Sequence, residues 1–195
     1  MTKEIIISAL VGLVLGIFIA PTMPISWRGQ MMGMSQIDAH FIEQMIPHHE
    51  DAITMANLAL VKAEHPEIKT LSNDIIKSQS EEIDQMGKWY KEWFGKNVPD
   101  ANSSFGGGMG MMMYGGMMGD ATDLGRLETV KPFDKAFIEE MIPHHQMAVM
   151  MAQMLRNSTN RPEMKTLADN IISAQTKEIN QMSEWYRNWY ASTAR

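Results

Sequence analysis

Two His-His pairs are the residues whose types and spacing most clearly suggest chemistry in this chain. Each pair directly follows a proline, in the segments Met45–His49 and Met141–His145. Neutral imidazole is a common metal ligand, and thioether sulfur is a soft ligand that selects Cu(I) and, by the same logic, Ag(I). Because a helix turns about 100° per residue, the two rings of a pair straddle its buried face. These segments therefore predict a soft-metal site in a helical protein.

Methionines accompany both histidine pairs at helical spacing. His144, Met147 and Met151 fall at positions i, i+3 and i+7 on one side of a helix. The candidate metal ligands are His48, His49, Met45, Met55, Met86, His144, His145, Met141, Met147, Met151 and Met182. A satisfied core histidine and ordinary methionine packing are the alternative interpretation at each position. The occurrence of the same pair twice favours metal binding.

A second helix offers polar side chains on or beside its own apolar stripe. Gln79, Glu82 and Met86 stand at i, i+3 and i+7, and Gln175, Glu178 and Met182 repeat the spacing. Buried amides and carboxylates need hydrogen-bond partners, and a histidine of the first helix could provide one. The two glutamates could orient a histidine, bind metal directly or serve the fold alone. We favour a role in orienting a histidine or in the fold alone over direct metal binding.

The chain has 21 methionines and no cysteine among its 195 residues. Zero cysteine excludes disulfide frameworks, iron–sulfur clusters and thiol catalysis. Packing does not explain methionine between glycines in the segment Phe105–Asp120, which we expect to be a mobile loop. Further loop ligands are predicted at Met109, Met111, Met112, Met113, Met117 and Met118. The alternative for these loop methionines is random low-complexity sequence in a linker. A further cluster of three methionines, Met31, Met32 and Met34, lies just before the first repeat.

The chain contains an internal repeat. Residues 38–95 align with residues 134–191 at a constant offset of 96, and 27 of the 58 positions are identical. Each copy has apolar residues at helical spacing on both sides of a proline, so each is predicted to form two helices. One hairpin of this size covers its apolar faces poorly, and two together make four helices around one core. The predicted fold is all-α, a four-helix bundle built from two tandem helical hairpins.

The predicted helix ends come from capping residues. Asp38 and Asp134 are good N-cap residues for the first helix of each copy. The second helices are expected to begin after His65 and Arg161, where proline suits the first helical position. Within the first helices, a proline removes a backbone donor, so the helix is expected to kink or restart there.

The N-terminal segment predicts export. Ile5–Ala20 is an unbroken apolar and small-residue run after a short polar start, and we favour an uncleaved membrane anchor over a removed signal peptide. The protein outside the anchor would then be periplasmic or otherwise extracytoplasmic. The predicted organisation is an anchor over residues 1–28, a first helical repeat over 29–95, a Gly/Met-rich linker over 96–133 and a second repeat over 134–195. The net charge of -6 without a dense basic patch argues against nucleic-acid binding.

With these residues in place, the chain resembles the "domain of unknown function 305" family. The resemblance rests on the Met-Ile-Pro-His-His block followed by Ala-x-x-Met-Ala, which begins at Met45 and again at Met141. A later Gln, Glu-Ile and Met-x-x-Trp pattern begins at Gln79 and at Gln175. The family is described as ferritin-like and helical and includes exported copper-binding proteins. The resemblance therefore implies a ferritin-like fold and copper or silver binding outside the cytoplasm.

Three functions compete on the sequence alone. The leading hypothesis is an extracytoplasmic protein that binds Cu(I), and also Ag(I), for sequestration, transfer or resistance, and that works with a copper-handling partner. It is not expected to be an enzyme. One alternative is a ferritin-like di-iron or other metalloenzyme, although the Glu-x-x-His motif of that class is absent from the chain. The other is a membrane-anchored interaction module that binds no metal.

Overall fold

A computed structural model describes residues 25–99 and 124–190, and every regular element in these two ranges is a helix. The helices are α1 (Ile25–Lys62), α2 (Pro66–Phe94), α3 (Leu124–Thr129), α4 (Phe133–Ser158) and α5 (Pro162–Tyr190). The predicted all-α class is confirmed. The loop methionines 109–118 and the apolar run 5–20 lie outside the described residues, so both predictions remain untested.

The chain divides into two units, residues 1–36 and 37–195. Of the first unit, the structure describes residues 25–36 as the beginning of α1. Among the described helices, none combines the length and apolar character needed to cross a membrane. The membrane anchor therefore stays a sequence prediction. All that follows concerns the second unit.

The internal repeat has a direct structural counterpart in the second unit. Helices α2 and α5 begin at Pro66 and Pro162, which are equivalent positions of the two copies, as the sequence predicts. Proline is accommodated there because the first residues of a helix have no intrahelical acceptor for their N–H groups. The C-terminus of α2 is also well defined, since Gly95 adopts a left-handed conformation and donates its N–H to Lys91.

The predicted starts of the first helix of each copy are wrong. Helix α1 is already helical before Asp38, and α4 begins at Phe133, so neither Asp38 nor Asp134 is an N-cap residue. Both α1 and α4 run through their internal prolines without a restart. Part of the predicted linker is the short helix α3, whose Leu127 is fully buried in the core.

Two separate apolar clusters form the core. Cluster A is built from Ala52, Met55, Ala56, Ala59, Ala63, Ile68, Leu71, Ile75, Leu127, Phe133, Ala136, Phe137, Ile138, Met141 and Met182. Cluster B is built from Phe41, Ile42, Met45, Met86, Tyr90, Ala148, Met151, Ala152, Leu155, Met164, Leu167, Ala168 and Ile171. Each cluster draws on both copies of the repeat, so the two hairpins share their core.

Every long helix passes from one cluster to the other near its middle. On α1 the change falls between Met45 and Ala52, and on α4 it falls between Met141 and Ala148, in the opposite order. Helices α2 and α5 change clusters in the same antiparallel way. The segments between the clusters carry the histidine pairs on α1 and α4 and the Gln and Glu residues on α2 and α5. The sequence thus places one polar layer across the middle of the bundle.

Reciprocal polar contacts join the two copies at the bundle ends. The Asp134 carboxylate accepts hydrogen bonds from the backbone N–H of Glu64 at 3.0 Å and of His65 at 2.8 Å, and it pairs with the His65 ring. The equivalent Asp38 pairs with Arg161, whose Nε lies 3.0 Å from its carboxylate. Each aspartate therefore binds the turn between the two helices of the other copy.

Candidate metal centre

The four histidines of the two pairs lie close together at the centre of the bundle. The rings of His48 and His144 stack across the two copies, with centroids 3.7 Å apart and planes 9° from parallel. His49 lies 6.5 Å from His48, and His145 lies 6.2 Å from His144, measured between ring centroids. We call the set His48, His49, Gln79, Glu82, His144, His145, Gln175 and Glu178 the histidine layer.

A glutamate holds one histidine of each pair. Nε2 of His49 lies 2.7 Å from the Glu82 carboxylate, and Nε2 of His145 lies 2.6 Å from Glu178. An ionised carboxylate only accepts hydrogen bonds, so the partner nitrogen carries the proton and donates it. When the ring is neutral, this arrangement leaves a lone pair on its Nδ1. Carboxylates orient metal-binding imidazoles in this way, with one ring nitrogen held and the other turned to the metal.

Four ring nitrogens of the histidine layer are buried and have no hydrogen-bond partner. They are Nδ1 of His49, Nδ1 of His145 and both ring nitrogens of His144. The side-chain oxygens of Gln79 and Gln175 are likewise buried without a partner. Buried polar atoms are normally satisfied, and a cluster of exceptions needs an explanation. Their donor chemistry fits a metal ion that takes nitrogen ligands.

Burial keeps the stacked pair of rings neutral. The pKa of His48 is lowered from 6.5 to about 3, chiefly because burial disfavours the charged ring and also because of the neighbouring His49 and His145. The pKa of His144 is lowered well below 6.5 for the same first reason, with further contributions from the other three histidines. Both rings are therefore neutral at pH 7, the form in which imidazole binds a metal.

His48 has an additional contact across the copies. Its Nε2 lies 3.2 Å from the backbone carbonyl of His144, so it donates a hydrogen bond there. That carbonyl and the ring stacking fix the orientation of His48 relative to α4. Sequence alone does not indicate this contact, because it depends on how the two copies pack.

The predicted methionine ligands fall into two groups. Met45 and Met86 are fully buried in cluster B, while Met141 and Met182 are fully buried in cluster A. Met45 and Met141 lie one helical turn before His49 and His145, and Met86 and Met182 lie one turn after Glu82 and Glu178. The histidine layer thus has a pair of thioether-bearing side chains on each side.

The remaining predicted ligands lie further along α1 and α4. Met55 is fully buried in cluster A, Met151 is almost fully buried in cluster B, and Met147 is partly buried against cluster B. The side chains of Met31, Met32 and Met34 are outside the described part of the structure. In the described residues, no group of three or more His, Cys, Asp or Glu side chains is arranged to hold a metal ion.

Tyrosines reinforce the hairpins beside the layer. The Tyr90 hydroxyl donates to the Glu43 carboxylate, and the equivalent Tyr186 donates to Glu139 over 2.8 Å. Burial, followed by the contact with Glu43, raises the pKa of Tyr90 to about 12. These bonds tie α1 to α2 and α4 to α5 within one turn of the internal prolines, so they help fix the segment that carries the histidines.

The fold and the site together define an all-α protein built from two matching helical hairpins, with a buried histidine layer where the hairpins meet. The family model "Domain of unknown function (DUF305)" matches residues 38–192. The chain belongs to this family, and the resemblance seen in the sequence is confirmed.

Solved structures of related proteins have the same fold. CopM in the Cu(II)-bound form is 53% identical, covers 78% of this chain and 97% of its own, and superposes with a TM-score of 0.69. CopM in the Cu(I)-bound form is 50% identical, with the same coverage and a TM-score of 0.67. A DUF305 fragment from Deinococcus radiodurans is 28% identical over 76% of this chain and 93% of its own, with a TM-score of 0.62.

A curated relative matches a shorter segment. "Uncharacterized protein L153" of Acanthamoeba polyphaga mimivirus is 46% identical over 50 residues, which is 26% of this chain. The match spans about a third (33%) of the length of that relative.

Proposed function

We propose that this protein binds copper as Cu(I), and also Ag(I), in the histidine layer. The observation that carries the proposal is the pair of buried Nδ1 atoms on His49 and His145, which have no partner although Nε2 of each ring is held by a glutamate. The similarity to CopM, which has been solved with Cu(I), Cu(II) and Ag, supports the choice of metal.

The chemistry of the layer favours a soft monovalent ion. Neutral imidazole nitrogens and thioether sulfurs suit Cu(I), whereas hard ions prefer carboxylate, carbonyl and water oxygens. The carboxylates that reach the layer, Glu82 and Glu178, are engaged by His49 and His145. In this proposal the glutamates orient the rings, and the metal is bound by histidine with flanking methionine.

The proposed role is to hold and pass on copper outside the cytoplasm, and not to catalyse a reaction. The apolar run Ile5–Ala20 in the sequence supports export and membrane anchoring. Fractionation of cells that make the full chain with a C-terminal tag tests this placement. Recovery of the tag from the cytoplasmic fraction alone would contradict it.

Metal retention tests the site itself. Full-length protein, mixed with Cu(I) under reducing conditions, should keep at least one equivalent through gel filtration. The double variant His49→Gln with His145→Gln should lose this copper. His40→Gln is the matched control, because His40 is an exposed histidine that contacts Gln44 and lies outside the layer. If the double variant retained as much copper as the control while remaining folded by circular dichroism, the histidine layer would not be the site.

A further inference from the structure

The second copy of the repeat has a methionine stripe that the first copy lacks. Met147, Met150, Met151 and Met154 lie on one face of α4, since residues three, four and seven apart share a helix face. The equivalent positions in the first copy hold Asp51, Thr54, Met55 and Leu58. Only one of these four is a methionine, so the stripe is not part of the shared repeat pattern.

The outer part of this stripe is exposed to water. Met150 is 47% exposed and Met154 is 63% exposed, while Met147 is partly buried and Met151 is 8% exposed. An apolar side chain left in water contributes little of the burial energy that stabilises a core. Packing therefore accounts for Met151 but does not account for Met150 and Met154.

The stripe leads from the surface to the histidine layer. Met147 stands one turn beyond His144 on α4, and Met150 and Met154 stand one and two turns further. Both ring nitrogens of His144 are buried and have no hydrogen-bond partner. Neighbours at i+3 and i+4 have Cβ atoms about 5–6 Å apart, so two long thioether side chains can reach one ion between them.

We propose that Met150 and Met154, with Met147, form a solvent-facing thioether site that captures a soft monovalent cation before it reaches the histidine layer. The ion exchanges bound water for thioether sulfurs, so no covalent bond of the protein is broken and no electron is transferred. This inference rests on the proposed function of the histidine layer and adds the side of the bundle from which the metal arrives.

Methyl NMR of the full chain with carbon-13 in the methionine methyl groups tests the capture site, with Ag(I) as the probe. The methyl signals of Met150 and Met154, assigned with Met150→Leu and Met154→Leu, should shift as Ag(I) is added. Native mass spectrometry should show one fewer bound Ag(I) in the Met150→Leu/Met154→Leu double variant. Met164→Leu is the matched control, because Met164 is fully buried in cluster B and should lose none.

Transplanting the stripe provides a second, independent variant. Thr54→Met with Leu58→Met places the outer pair on the first copy, and this variant should gain one Ag(I) relative to the native chain.

The loading rate completes the test. The Met150→Leu/Met154→Leu double variant should fill the histidine layer more slowly from a Cu(I)–bicinchoninate complex and reach the same final occupancy.

The outcomes separate this inference from the proposed function. If the histidine ring signals of the layer shift with Ag(I) while the Met150 and Met154 methyl signals do not, the capture site is wrong and the layer stands. If the methyl signals shift but the double variant loads at the native rate, the site does not serve the layer and the inference is overturned. If the histidine signals never shift, the proposed function fails instead.

Discussion

The imidazole ring of His48 lies flat against that of His144, with ring centroids 3.7 Å apart. These residues occupy equivalent positions of the two copies, so the stack lies where the two copies pack against each other. Neither hairpin could build this arrangement alone. The proposed metal site is therefore a property of the assembled pair of hairpins, although each copy carries its own His-His motif.

Stability of the metal-free protein should fall as the pH drops from 7 to 5. The pKa of His48 in the folded state is about 3, and that of His144 is also well below the ordinary 6.5. Below pH 6.5 the unfolded chain therefore takes up protons that the folded chain does not, which favours unfolding. Urea titrations at several pH values measure this loss.

The variant His48→Gln with His144→Gln isolates this contribution. It should show a flatter dependence of the free energy of unfolding on pH in the same range, because the two neutral rings are gone. Model carboxyl groups titrate mostly below about pH 5, so the range from 7 to 5 separates the histidines from acid effects. Parallel pH curves for the variant and the native chain would contradict the assignment.

Removing the carboxylates that hold the rings should weaken copper binding without unfolding the bundle. Glu82→Gln and Glu178→Gln keep the shape and length of the side chain but no longer fix the imidazole tautomer. Loss of such an outer partner weakens metal binding by about 10- to 100-fold. Competition with bicinchoninate for Cu(I) measures the change.

Glu81→Gln is the control for this pair of substitutions. Glu81 is exposed and adjacent to Glu82, so its charge is removed at nearly the same place without touching a histidine. An equal loss of Cu(I) affinity in Glu81→Gln would mean that the affinity depends on the negative charge of the carboxylates and not on their hydrogen bonds to histidine.

The contact of Asp134 with the opposite copy should contribute more to stability than an exposed ion pair. Asp134→Ala leaves the backbone N–H groups of Glu64 and His65 without their acceptor. A hydrogen bond to a charged acceptor such as this carboxylate contributes about 1.5–3 kcal/mol. Asp169→Ala, which breaks an exposed pair with Arg156, should cost about 0–1 kcal/mol. Thermal unfolding of the two variants gives the comparison, and equal costs would contradict it.

The sequence predicted the helices and the buried face, and the reasons are local. Apolar spacing, the prolines at Pro66 and Pro162 and the 96-residue offset all act within one copy. The missed features depend on the other copy. Asp38 and Asp134 looked like caps for their own helices, but each pairs with a basic residue of the opposite copy. Those two basic residues, His65 and Arg161, are themselves equivalent by the repeat offset, which was the one available signal for these contacts.

The residues of the candidate site were also predicted from the sequence, but their contacts were not. The histidine ligands, and the role of Glu82 and Glu178 as possible partners of a histidine, were predicted from residue type and helical spacing. Which ring nitrogen faces a carboxylate, and which is left without a partner, depends on the packing of α1 against α2 and of α4 against α5. Helical periodicity places a side chain on a face but does not assign its hydrogen bonds.

The four methionines beside the layer can be tested as ligands and as core residues at the same time. Leucine and methionine have similar volumes, so each Met→Leu change in a core usually costs less than about 1.5 kcal/mol. Met45→Leu with Met141→Leu should therefore leave the protein folded while removing the two sulfurs carried one helical turn before His49 and His145. If the sulfurs bind metal, competition with bicinchoninate will show weaker Cu(I) binding, whereas Met164→Leu in cluster B will bind as the native chain does. Unchanged Cu(I) affinity in the double variant would assign these two methionines to packing alone and leave the nitrogens of the histidine layer as the ligands.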